Sequence, residues 1–109
     1  MNILDDVLYK EIMEKEVALS QHIEQLRSLP KGTIFISKTS SGNYVYRKWR
    51  QEGKVLSEYL GSLESSETLS KIDKVNEYRV AKEQVKQEKK QLAELKKAYR
   101  LILLKTKLN

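Results

Sequence analysis

Apolar residues follow three different rhythms along this chain. In the first stretch Leu8, Ile12, Leu19, Ile23 and Leu26 recur at helical spacing, with Ile3, Leu4, Val7, Met13 and Val17 widening the stripe, which predicts an amphipathic helix over 2–29. Asn2 stands as its N-cap, Asp5 and Asp6 suit the positive helix start, Arg27 suits the negative end, and Pro30 with Gly32 stops it. The rhythm then shortens. Three β-rich runs, 33–38, 44–50 and 54–60, are split by turns containing Gly42 and Gly53, and this predicts a three-stranded antiparallel meander over 33–60. All four glycines and the one proline lie between Leu29 and Gly61, so no breaker follows. After a Ser-Leu-Glu-Ser-Ser-Glu stretch that offers N-cap hydroxyls, the pattern predicts one long helix over 66–108. Within it Tyr78, Val85, Leu92 and Tyr99 stand seven apart, with Ala81, Leu95 and Ile102 at the second seam position and Glu88 interrupting them.

These elements predict an α+β fold: a long antiparallel, coiled-coil-like helical hairpin with the three-stranded antiparallel β-meander inserted between its helices, forming one domain over 1–109. The first helix should extend roughly 39 Å and the second roughly 65 Å. With the sheet as a head at one end, the second helix overhangs its partner by roughly 25 Å. Leu95, Tyr99, Ile102 and Leu103 would then face water, which predicts a homodimer through them.

Apolar residues make up 39% of the chain and charged residues 33%, a balance too apolar for intrinsic disorder. There is no cysteine, which excludes a disulfide framework and thiolate metal sites. The longest apolar run is 101–104 and the start carries Asp5 and Asp6 instead of a basic region, so neither a signal peptide nor a membrane span is expected, and the expected location is cytoplasmic. The net charge of +6 is unevenly spread: residues 1–29 hold three Lys/Arg against six Asp/Glu, residues 30–61 six against two, and residues 62–109 twelve against seven.

Catalytic chemistry finds little support. The one histidine, His22, sits on the flank of the first helix without neighbouring histidines or clustered acids in sequence, and the glycines lack phosphate-loop spacing. No enzyme activity, metal, cofactor or small-molecule substrate is expected. The Lys-rich face of the second helix, from Lys82 to Lys97, is interspersed with Glu83, Glu88 and Glu94 and reads as a solvated face. The more specific signal is Tyr44-Val45-Tyr46-Arg47-Lys48-Trp49-Arg50, followed by Lys54. Cations attract phosphate and flat rings stack on bases. The candidate nucleic-acid-binding residues are therefore Lys31, Lys38, Tyr44, Tyr46, Arg47, Lys48, Trp49, Arg50 and Lys54, with DNA favoured over RNA. Alternation puts Tyr44, Tyr46, Lys48 and Arg50 on one side and Val45, Arg47 and Trp49 on the other; which side packs on the helices is open at this level.

Leu29-Pro30-Lys31-Gly32, Tyr44-Val45-Tyr46, Gly53-Lys54 and Ser57-Glu58-Tyr59-Leu60-Gly61 resemble segments of short bacterial, archaeal and phage proteins. Similar tyrosine-rich hairpins ending in Tyr-Leu-Gly precede some transposase-like proteins, and three strands before a helix are similar to the arm-type DNA-binding domains of phage integrases. This resemblance implies a phage or mobile-element setting and nucleic-acid binding, and carries over no catalytic residue. A rival expectation is a phage-borne inhibitor of a nucleic-acid-handling host effector, such as an anti-CRISPR protein, presenting Asp5, Asp6, Glu11, Glu14 and Glu16 to a basic groove.

Overall fold

A computed structural model describes the backbone of residues 3–108 and the side chains through 105. The order is α1 (Ile3–Arg27), β1 (Thr33–Thr39), β2 (Gly42–Gln51), β3 (Lys54–Ser62) and α2 (Ser66–Leu108), the α+β helix–meander–helix arrangement that the patterning predicts. Asn2, the expected N-cap, lies outside the described residues. At the other end of α1, the Leu29 amide closes the helix on the Leu26 carbonyl, and α2 begins with the Leu69 amide bonded to the Ser65 carbonyl. The chain divides into two compact units, one of residues 1–25 with 83–109 and one of residues 26–82.

The first unit is an antiparallel helical hairpin. Tyr9 meets Tyr99 with ring centroids 6.1 Å apart, Glu16 pairs with Lys96 at 2.8 Å, and His22 Nδ1 donates to the Glu88 carboxylate at 2.8 Å. Ile12, Val85 and Leu92 are its buried apolar residues. On α1 the covered positions include Asp5, Leu8, Ile12, Lys15, Leu19, His22 and Leu26, at the three-four alternation of a coiled-coil seam, with Glu16, Ala18 and Ile23 half-buried on its flanks. Ile3, Leu4, Val7, Met13 and Val17, expected to widen the buried stripe, are instead exposed, Ile3 by 81%. A single partner helix covers only a narrow arc, and these residues point away from it. The polar seam residue Glu88, which interrupts the heptads of α2, is thus met by His22 from α1.

The expected overhang is displaced. Because Tyr9 lies opposite Tyr99, the C-terminal turns of α2 run beside the first turns of α1. The extra length of α2 is its N-terminal part, through Lys82, which belongs to the second unit. Leu95, Tyr99, Ile102 and Leu103, expected to face water, are accordingly half-buried in the hairpin.

The second unit is the sheet, in the order β1-β2-β3, with Val45, Leu60, Thr68 and Val75 as its buried residues. Antiparallel pairing places Phe35 opposite Tyr46 and Ile34 opposite Arg47, then Tyr46 opposite Tyr59 and Arg47 opposite Glu58. The ladder shifts between Val45 and Tyr46, where Val45 pairs with Gly61 and leaves Leu60 as an extra residue, a β-bulge. The bulge turns two successive residues toward α2. Leu60 plugs the core, and its carbonyl accepts from Thr68 Oγ1 at 3.5 Å and Lys71 Nζ at 3.4 Å, which satisfies an acceptor removed from the ladder.

Candidate nucleic-acid interface

Val45 decides which way the sheet faces. It is fully buried, so the odd residues of β2 point inward and Tyr44, Tyr46, Lys48 and Arg50 point outward. Cross-strand partners share a face, which adds Phe35 and Tyr59 to the outward side. One aromatic ring from each strand thus lies in a single lateral row, Phe35–Tyr46–Tyr59. The outer two remain open, Phe35 by 47% and Tyr59 by 54%. Tyr46 and Tyr59 stand 5.3 Å apart with planes at 54°, and Tyr44 and Tyr59 stand 6.4 Å apart at 51°. Beside this row, Lys48 places Nζ 4.0 Å over the Phe35 ring, and Arg50 follows, exposed, at the next outward position.

Arg47 has a different setting. Its Nη1 donates to the Lys31 carbonyl at 2.7 Å, its Nη2 donates to Glu58 at 2.6 Å, and its guanidinium lies 3.8 Å from the Trp49 ring centroid. With its side chain 14% exposed, it is an internal strut that ties β2 to β3 and to the loop after α1. Charge-assisted bonds of this kind exceed neutral ones in strength. Trp49 is committed too, its Nε1 donating to Gln51 at 3.3 Å. On this inward side a cleft of about 430 Å³ is lined by Leu29, Pro30, Arg47, Glu58, Leu60, Lys71 and Lys74 among others.

The nine residues expected to bind nucleic acid are therefore distributed over distinct places. Tyr44, Tyr46, Lys48 and Arg50 come together on the outward face. Arg47 and Trp49 lie on the inward one. Lys38 and Lys54, exposed near strand ends, share the inward parity, and exposed Lys31 sits in the loop before β1. Phe35 and Tyr59 belong to the outward cluster but were not among the nine. Turn length was the signal that would have found them: two-residue turns that pair Thr39 with Gly42 and Gln51 with Lys54 set the register that aligns all three rings.

Among the described residues, no group of three or more His, Asp or Glu side chains is placed to hold a metal ion. No helix among them is long and apolar enough to cross a membrane.

Fold and site together define a small helix–meander–helix protein whose sheet carries a row of aromatic rings on its outward face. The chain belongs to the family described as "Domain of unknown function (DUF6788)", whose model matches residues 6–69, more than half of the sequence. The matched span takes in most of α1, the whole meander and the first residues of α2. No curated protein and no solved structure matches the chain.

Proposed function

We propose that this chain is a non-enzymatic nucleic-acid-binding protein of phage or mobile-element type, which engages DNA through the outward face of its meander and needs no cofactor. One observation carries this reading: each strand contributes an aromatic ring to the same wet face, where Lys48 and Arg50 also lie. A sheet with one solvated face ordinarily shows polar residues there, and three rings in a row exceed what covering a core demands. Lys48 and Arg50 supply phosphate contacts, Lys31, Lys38 and Lys54 add attraction at the margins, and Arg47 and Trp49 stiffen the sheet from behind. The resemblance to phage and transposase-associated segments supports the same setting.

Fluorescence anisotropy with labelled duplex and single-stranded DNA across a salt series tests this. Phosphate contact requires that log affinity fall linearly with log salt, and Lys48→Ala and Arg50→Ala should each reduce the slope by about 1. Absence of binding at about 50 mM salt, where such contacts are strongest, overturns the proposal. The rival reading, an inhibitor that meets a host effector through α1, loses part of its charge: Asp5 is buried and Glu16 is paired with Lys96. A pull-down that returns an effector protein and no nucleic acid would favour it.

A further inference from the structure

We infer that the outward face selects single-stranded over duplex nucleic acid by stacking unpaired bases on Phe35, Tyr46 and Tyr59; this rests on the nucleic-acid reading above and sharpens its ligand class. The rings outnumber the cations on this face, with Lys48 and Arg50 against Phe35, Tyr44, Tyr46 and Tyr59. A surface built for duplex draws most of its affinity from neutralised phosphates. Rings gain little from a duplex, because its base faces are covered by the neighbouring pairs. In a single strand those faces are open, and stacking tolerates any sequence because every base has a π-face.

The geometry suits such stacking. The row crosses all three strands, which span roughly 10 Å at about 4.8 Å per strand, so a strand laid across the sheet meets one ring after another. The ring planes are inclined by 51–54°, so the tyrosines do not stack face to face on one another and keep ring surface for a base. Lys48 supplies the coupling to charge. In the free protein its ammonium caps the Phe35 ring at 4.0 Å. A base that takes that ring surface displaces the ammonium toward its own adjoining phosphate, so stacking and phosphate neutralisation occur in one step.

The full chain is titrated with three probes of equal length: a single-stranded oligodeoxythymidine, a duplex, and a single strand of abasic sites that keeps phosphates and removes bases. The single strand should bind tighter than either of the others. Tyr59→Leu, at an exposed ring whose loss leaves the core untouched, should weaken binding of the base-bearing strand by roughly 5- to 150-fold, the range for one lost base stack. The same substitution should leave the abasic strand unaffected. Equal, salt-dependent binding of duplex, abasic and base-bearing strands would overturn base stacking while leaving nucleic-acid binding in place. No binding to any probe would overturn both. Because the abasic comparison uses the unaltered protein, the test does not depend on a variant folding.

Discussion

Gly61→Ala should be one of the most damaging single-methyl additions in this protein, and its cost divides into two parts that are separable by experiment. Gly61 has φ +131°, a backbone region nearly closed to residues with a Cβ, where occupancy costs about 1–3 kcal/mol. The added Cβ would also collide with Thr68 Oγ1, while the Thr68 Cβ would lie at 3.6 Å, an ordinary contact. Thr68 is 2% exposed and its hydroxyl is bonded to the Leu60 carbonyl, so it has no room to swing away. Overpacking of this kind adds about 1–3 kcal/mol. The sum, about 2–6 kcal/mol, is a large share of the roughly 5–15 kcal/mol that holds a domain folded. Thr68→Ala removes the colliding oxygen at the cost of one hydrogen bond, about 0.5–1.5 kcal/mol. Urea unfolding of both single variants and the double variant should therefore give a favourable coupling of about 1–3 kcal/mol. Gly32→Ala is the control without rescue: at φ +120° its Cβ would strike the Lys48 backbone carbonyl, which no side-chain truncation removes. A cost below about 1 kcal/mol for Gly61→Ala, or a coupling near zero, would refute the account of the bulge.

Two further predictions concern stability. Ile102→Glu places a charge in the half-buried hairpin seam and should lower stability by about 2–3 kcal/mol while leaving the mass in light scattering equal to that of the parent protein; a halved mass with an unchanged melting temperature would show that the residue serves an interface between copies. Glu52 holds φ +51° beside Gly53 at +77° in the turn from β2 to β3, a left-handed pair better suited to asparagine, so Glu52→Asn should raise stability by about 0.5–1 kcal/mol in a thermal melt, and a lowered melting temperature would count against the turn assignment.

The element order was legible because glycine and proline are confined to one stretch and both flanks keep helical spacing. The breadth of burial on α1 was not legible, since periodicity locates the centre of a stripe without saying how wide an arc a partner covers. Val7 and Val17 look like core in the sequence and are exposed. The destination of the surplus length of α2 was likewise hidden, because two helices of unequal length can be matched at either end. Of the site, Tyr44, Tyr46, Lys48 and Arg50 were readable as a set from alternation alone. Arg47 was read with the other cations because composition counts a cation without its partners, whereas its guanidinium is taken up by Glu58, the Lys31 carbonyl and Trp49. The pairing of Arg47 with Glu58 follows from strand register, which the turns encode. The bulge at Leu60 has no local mark beyond the glycine after it, although the carbonyl it frees is met by Thr68 and Lys71 in the first turns of α2.

The bulge also governs how this protein is able to vary. Point substitutions at Phe35, Tyr46 or Tyr59 change the chemistry of the outer face while Val45 and Leu60 hold the interior, so that surface can drift without loss of the fold. A change of length in β3 has no such freedom. Deleting one residue between Lys54 and Tyr59 would slip the strand by one against the register that the second turn sets and exchange inside for outside along its end, delivering a ring to the helix and a leucine to water. Relatives of this chain are thus expected to differ in the identity of their outward residues and to keep the spacing from the second turn to the glycine that follows the bulge.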